Sequence, residues 1–274
     1  MSGGGPAAIG GATRLYAVLG DPVAQVRAPA LLNPLFAGLG LDAVLVPVHV
    51  GAADLAAVLA GLAAVRNLDG LLVTVPHKIA VCGLAGALGP AAAVSGSANA
   101  LRRRPGGGWY AEDFDGAGFV AGLEAAGHRV RGARFAIAGA GGAGGAIAAA
   151  VLTAGAAEVR LHDTDPARPA GIAARLARHW PGRIGPVRAV GERKPDVAVN
   201  ATPLGLRPDD PLPFDPAGLP AGCVVADIVM RPRDTALLRA AAGLGHPVHH
   251  GAHMLDHQVA LYRDFFGLEG PAPP

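Results

Sequence analysis

The segment Gly139-Ala140-Gly141-Gly142-Ala143-Gly144 constrains this chain more than any other. It follows a short apolar run, Phe135–Ala138, and opens a helical pattern, Gly142–Thr153. Glycines at the first, third and sixth positions suit a dinucleotide-binding turn. Gly139 permits a tight turn, Gly141 lets backbone approach a pyrophosphate, and Gly144 allows close helix–strand packing. The free N–H groups and the positive end of the helix then hold the phosphates. A chain with 41 glycines makes such strings by chance, so a second signal is needed. Asp163 supplies it, at the end of the strand Glu158–His162 and 24 positions after Gly139. A carboxylate there accepts hydrogen bonds from a ribose 2′-hydroxyl and repels a 2′-phosphate, which predicts NAD rather than NADP. Asp163-Thr164-Asp165-Pro166 also reads as an ordinary turn and helix cap.

Phe135–Ala157 carries no charge and is long enough to span a bilayer. Its six glycines argue against that, because a membrane helix is rich in Leu, Ile or Val. The 274 residues are 51% hydrophobic, with 23 basic against 21 acidic side chains. That balance excludes a disordered charged tail and offers no footprint for nucleic acid. The two cysteines, Cys82 and Cys223, form no metal or disulfide pattern, and no secretory leader precedes the fold, so a cytoplasmic protein is expected.

Short apolar runs alternate with Ala/Leu-rich amphipathic stretches, the pattern of an α/β protein. Strands are predicted at Leu15–Leu19, Ala43–Val48 and Leu71–Val75, with helices near Ala28–Gly38 and Ala53–Val65. Asn99–Arg104 and Trp109–Asp113 read as a hairpin across Pro-Gly-Gly-Gly. A helix follows from Asp115. The second block continues with a helix near Ala170–His179, strands Val197–Asn200 and Cys223–Ala226, and a last helix over Met254–Phe266.

Two polar groups stand at element ends. Val73-Thr-Val-Pro-His-Lys78 runs a strand into a Pro-marked turn ending in lysine, and Asp115 follows the hairpin. A lysine ammonium can protonate a developing alkoxide while an aspartate orients it. Each also has a plainer reading, Lys78 as a solvated charge and Asp115 as a helix cap.

These pieces, in this order, resemble the shikimate/quinate dehydrogenase family. The resemblance rests on Tyr16-Ala-Val-Leu-Gly-Asp-Pro-Val-Ala24, Val73 to Lys78, Gly96-Ser-Ala-Asn99, Asp115-Gly116, the glycine turn, Asn200-Ala-Thr-Pro-Leu-Gly205, and Asp227 through Thr235. It implies an α/β substrate-binding domain over 13–114, a Rossmann dinucleotide-binding domain over 115–250, and a C-terminal helical segment, 251–274, that packs back on the first domain. The active site is then expected in the cleft between the domains. Lys78 and Asp115 match the family's catalytic pair, and Thr74, Asn99 and Gln258 match substrate ligands. Asn200, Thr202 and Met254 join the turn residues and Asp163 in holding the cofactor. The implied reaction is reversible hydride transfer between the nicotinamide and shikimate, quinate or a related cyclic hydroxy acid, by a monomer or homodimer.

The departures from the family pattern bear on recognition. Where the family carries Ser-x-Ser-Pro, this chain reads Val26-Arg27-Ala28-Pro29. The asparagine usual before Val-Thr-Val-Pro is Leu72, and the tyrosine usual in the Asp227 motif is Met230. A pocket lacking these donors leaves groups of a shikimate-like ligand unpaired. Arg27, with its planar fork, is the candidate replacement for binding the carboxylate. Two other functions stay open: the same scaffold acting on a different substrate, and a non-catalytic dinucleotide-binding protein. His246, His249, His250, His253 and His257 crowd the C-terminal region, and the i, i+4 pair His253/His257 has metal-ligand spacing. No metal is expected, since the family's chemistry needs none.

Overall fold

The computed structural model describes residues 9–270. In chain order the elements are β1 (Arg14–Gly20), α1 (Ala28–Gly38), β2 (Ala43–His49), α2 (Leu55–Ala64), β3 (Leu68–Val73), α3 (Ala80–Leu84), β4 (Ala87–Leu88), α4 (Pro90–Ser95), β5 (Ala100–Arg103) and β6 (Trp109–Glu112). They continue with α5 (Asp115–Ala125), β7 (Arg134–Ala138), α6 (Gly142–Thr153), β8 (Glu158–His162), α7 (Ala167–Leu176), β9 (Ile184–Pro186), β10 (Val197–Asn200), β11 (Val224–Asp227), α8 (Ala236–Gly243), β12 (Val248–His249), α9 (Ala252–Asp256) and α10 (Gln258–Phe266). The chain forms two compact units. The first holds the described residues up to Gly89, Ala98–Glu112, and those from Val259 on; the second holds Pro90–Ser97 and Asp113–Gln258.

The first unit is built on a mixed sheet ordered β2-β1-β3-β5-β6-β4. β1 pairs parallel to both β2 and β3, and the β5–β6 hairpin closes antiparallel on β3. Buried side chains of β1, α1, β3 and β5, among them Leu19, Leu32, Phe36, Leu71 and Leu101, form its core. From α10, Phe266 packs edge-on to Tyr16 with ring centroids 5.2 Å apart. Arg103 donates to the Leu62, Ala63 and Val65 carbonyls at the end of α2, adding to the Val65 N–H that already reaches Leu62. β2 is an edge strand carrying Pro47. In α1, Asn33 brackets the Leu45 peptide, donating to its carbonyl at 3.1 Å and accepting from its N–H at 2.7 Å.

The second unit carries a wholly parallel sheet, β12-β11-β10-β7-β8-β9. Relative to its own first strand, β7, this is the doubly wound order 3-2-1-4-5-6. Alternate residues of β7 enter two separate cores. Phe135 and Ile137 pack with Phe119, Ile147, Leu152 and Leu176 from α5, α6 and α7, while Ala136 and Ala138 pack with Leu237, Leu238 and Ala241 of α8. Both faces of the sheet are therefore covered, as a parallel sheet requires. The uncharged Phe135–Ala157 stretch is β7 and α6 of this core, and no helix among the described residues is long and apolar enough to cross a membrane.

Several predicted boundaries move. β3 spans Leu68–Val73 rather than Leu71–Val75, because the chain turns from Thr74 into a cis Val75-Pro76 peptide. α7 starts at Ala167, whose N–H donates to Asp165 Oδ1, and it accommodates Pro169 in its first turn, where no internal N–H bond is lost. The predicted helix Met254–Phe266 is two helices. They part at His257, whose Nδ1 contacts the His253 carbonyl at 2.8 Å and competes with the backbone for it. α3, β4, α4, β9, α8 and β12 lacked a sequence signal of their own. Phe135 is 1% exposed and central to the larger core. Phe135→Ala is expected to cost about 3–5 kcal/mol, read by urea unfolding.

Candidate functional site

In the second unit the glycine turn joins β7 to α6 at the point where strand order reverses, between β7 and β10. Gly139 adopts φ +97°, and a Cβ there would fall 2.7 Å from the Ala201 carbonyl group. A Cβ on Gly144 would overlap the Gly139 carbonyl oxygen. Around Gly141, by contrast, a Cβ would meet nothing within 4 Å. Two glycines are thus demanded by packing, and the third leaves open space at the N-terminus of α6, the geometry an anion needs.

Asp163 lies just beyond β8, and its Oδ2 accepts the Ala140 N–H at 2.8 Å. Its Oδ1 accepts the Asp165 N–H at 3.0 Å. Burial raises its pKa, but these backbone bonds, with the Arg168 charge and the Thr164 hydroxyl, outweigh that and hold it below the usual carboxylate value. Asp163 therefore does what a turn aspartate does and also ties β8 to the glycine turn. Two accepted bonds leave further lone pairs on the carboxylate.

Asp115 opens α5 and is 2% exposed. Gln258 Nε2 donates to its Oδ1 at 3.3 Å, so two of the predicted residues meet. Sequence reasoning passed over Asp113. This buried carboxylate accepts the Asp115 N–H at 2.9 Å and the Ser97 hydroxyl, while Ser97 Oγ also lies 3.1 Å from the Gly142 carbonyl. The Asp-x-Asp spacing was the available signal for it. Gly116 is required by packing, since a Cβ would strike the Ala146 carbonyl and lie 2.5 Å from Ala150 Cβ. Met254 is buried in the core behind α5 and α6.

At the other sheet, Thr74, Lys78 and Asn99 gather at the C-terminal end of β3. Thr74 N–H donates to the Leu19 carbonyl, Val73 N–H to Asn99, and Ala98 N–H to Lys78, at 2.9, 2.8 and 2.8 Å. Asn99 is buried and donates to Tyr262 Oη at 3.1 Å. His77, also buried, anchors the turn through the Val50 carbonyl at 2.6 Å. Arg27 precedes α1, half-buried, with no side-chain hydrogen bond among the described residues. Val26 and Leu72 are half-buried and buried respectively, and Ala28 is buried. A cavity of about 590 Å³ in this unit lies elsewhere, over Tyr16, Asp69, Arg102 and Phe265.

The C-terminal histidines take separate partners. His246 contacts the Pro216 carbonyl, His250 pairs with Asp234 at 2.9 Å, and His257 turns to His253. Among the described residues no group of three or more His, Cys, Asp or Glu is arranged to hold a metal. His249 is buried, stacked 4.8 Å from His253 and edge-on to His128 and Phe119.

The family model for the shikimate dehydrogenase substrate binding domain matches residues 18–101. A shikimate dehydrogenase (NADP(+)) of Rubrobacter xylanophilus is 39% identical over 95% of this chain and 93% of its own length. The chain belongs to the shikimate dehydrogenase family. Among solved structures of this family, the Thermus thermophilus shikimate 5-dehydrogenase in complex with NADP(H) and shikimate aligns with a TM-score of 0.82 and 30% identity, over 94% of this chain and 95% of that one. Quinate dehydrogenase from Corynebacterium glutamicum in complex with NAD aligns at 0.81 and 28%, over 94% and 95%.

Burial, and then the charges of His253, His128, His250 and His257, push His249 down to about 4. An unfolded histidine titrates near 6.5, so the neutral ring contributes stability that is full above that pH and lost as pH falls toward 4. Comparing denaturation midpoints at pH 7.5 and 4.5, His249→Phe should remove roughly 2 kcal/mol of the acid-dependent loss.

Proposed function

We propose that this protein is a nicotinamide-dependent dehydrogenase acting reversibly on shikimate, quinate or a related cyclic hydroxy acid. The observation that carries the reading is the grouping of Thr74, Lys78 and Asn99 at one sheet end by backbone bonds. The glycine turn fits the cofactor independently: open space above Gly141, and a helix N-terminus beneath it. Gly139 to Gly144 would hold the pyrophosphate, with Ala140 and Ala143 completing the loop. When bound, the cofactor supplies a hydride acceptor or donor. In the reducing direction Lys78 polarises the substrate ketone and delivers the proton to the new alkoxide; in the oxidising direction it receives that proton. Asp115, held by Gln258 and Asp113, is the second member of the proposed catalytic pair. Asn99 and Thr74 hydrogen-bond the ring hydroxyls, which fixes the reacting carbon. Lys78→Ala is expected to lower kcat about 10²–10⁴-fold in a spectrophotometric assay of cofactor reduction.

The cofactor preference we propose is NAD. Curated relatives carry NADP(+) in their names, while the quinate dehydrogenase neighbour was solved with NAD. Asp163 supports the NAD side, because its ionised carboxylate sits at the strand end and repels a 2′-phosphate. Asp163→Asn removes the charge and keeps an acceptor for the Ala140 N–H, while its NH₂ replaces the oxygen that accepts the Asp165 N–H. It should reduce the NAD-over-NADP ratio of kcat/KM about tenfold or more, and an unchanged ratio would remove Asp163 from the ribose site.

A second reading, the same chemistry on a different hydroxy compound, is favoured by Val26 and Ala28, which offer a ligand carboxylate no hydroxyl. On the first reading Arg27 takes that carboxylate. Arg27→Ala then raises KM for shikimate or quinate about tenfold with kcat little changed, as loss of uniform binding requires. Parallel turnover with shikimate and quinate, each with NAD and NADP, separates the readings; no turnover with either acid favours the second.

A further inference from the structure

We infer that Asp227 is a positioning residue for cofactor binding, holding the Ala201–Gly205 turn against the glycine turn through the side-chain amide of Asn200. The inference rests on the dinucleotide reading of that glycine turn and adds a residue that touches neither cofactor nor substrate.

Asp227 closes β11 and is 1% exposed. Its Oδ1 accepts Asn200 Nδ2 at 3.0 Å and Val229 N–H at 2.9 Å, and its Oδ2 accepts the Thr235 hydroxyl at 2.7 Å. Every partner is a donor, which an acceptor-only carboxylate suits. The second hydrogen of Asn200 Nδ2 goes to the Leu204 carbonyl at 2.9 Å. Asn200 Oδ1 accepts both Thr202 N–H, at 3.0 Å, and Thr202 Oγ1, at 2.6 Å. Thr202 Oγ1 in turn accepts Leu204 N–H at 3.1 Å.

Two consequences follow from this count. First, the orientation of the Asn200 amide is fixed from both ends: its NH₂ must face the carboxylate and its oxygen must face the Thr202 N–H. Rotating it by half a turn would oppose like groups at both. Second, Asn200 has spent both donors and both lone pairs, and the Thr202 hydroxyl has spent its hydrogen. Asn200 and Thr202, both expected among the cofactor-binding residues, thus also shape the turn that lies against Gly139.

That turn presses directly on the phosphate-binding loop. A Cβ on Gly139 would lie 2.7 Å from the Ala201 carbonyl group and 2.8 Å from Thr202 N, and one on Gly144 would lie 3.6 Å from Ala201 Cβ. With so little clearance, a displaced Ala201–Thr202 backbone displaces Gly139. At the far end, Thr235 caps α8 by accepting Leu238 N–H at 3.2 Å. One carboxylate therefore couples α8, β11 and β10 to the glycine turn. Burial pushes Asp227 up to about 6, against the opposing hydrogen bonds of Val229, Thr235 and Asn200. Its charge is thus held at a cost in stability, as expected of a group retained for geometry.

The test measures NADH affinity by fluorescence, and amide hydrogen exchange over 200–206 and 139–145, in the parent, Asp227→Asn and Asp227→Leu. Asn keeps the Oδ1 acceptor for Asn200 and Val229, so affinity should stay within about twofold. Leu leaves one hydrogen of Asn200 Nδ2 and the Val229 N–H unpaired, so NADH should bind about tenfold or more weakly, with faster exchange in both segments. KM for the hydroxy acid should not move, a split that general destabilisation would not give. Should Asp227→Leu not fold, Thr235→Val replaces it: a severalfold loss of affinity, restored in Thr235→Ser, supports the inference. Parent-like affinity and exchange in folded Asp227→Leu, or in Thr235→Val, overturn it. Absence of NADH and NADPH binding by the parent overturns the dinucleotide reading and this inference together, whereas equal binding by parent and variants overturns this inference alone.

Discussion

The second unit depends on one close approach: the backbone of α6 lies against the end of β7 with no room for a side chain between them. Gly144 faces the Gly139 carbonyl, and on the opposite flank Gly116 of α5 faces the Ala146 carbonyl of α6. A helix gripped on both sides at backbone distance must be made of small residues there, and α6 reads Gly-Ala-Gly-Gly-Ala over its first five positions. The same tightness fixes the direction in which its first N–H groups point. Packing and anion binding are therefore one constraint, because the glycines that admit the helix also leave its end bare.

How much of this was legible in the sequence depends on the range of the interaction concerned. Gly142–Thr153, Glu158–His162 and Val197–Asn200 were read to the residue, because periodicity and turn chemistry there are local and agree. α4 and β9 were not, since Pro90–Ser95 and Ile184–Pro186 are short and owe their form to neighbours distant in sequence. The single helix expected over Met254–Phe266 failed for a reason no periodicity reports: one imidazole, His257, competes for the His253 carbonyl.

The candidate site divides the same way. The glycine turn, Asp163 and Asp115 announce themselves by residue type at element ends. Asp113 and Asp227 stand in visible patterns, Asp-x-Asp and the motif from Asp227 to Thr235, but among the donors that surround each buried acceptor is one distant in sequence. Asn200 and Thr202 were visible as a motif, but the bonds that tie them to each other and to Leu204 were not, because spacing shows that polar groups are present and not how they are paired. Recognition residues are harder still. Val26, Ala28 and Leu72 show what has been lost from a pocket, and Arg27 alone suggests what was gained.

The bracket that Asn33 places around the Leu45 peptide bears on how the molecule behaves in a crowded solution. β2 is an outer strand whose free edge would offer unpaired amides to any extended chain passing by. One side-chain amide occupies the donor and the acceptor of the central peptide, and the proline at position 47 removes another donor. The margin is closed to strand addition at its middle, so a protein half of whose residues are apolar is protected from templated aggregation by two residues that take no part in its chemistry.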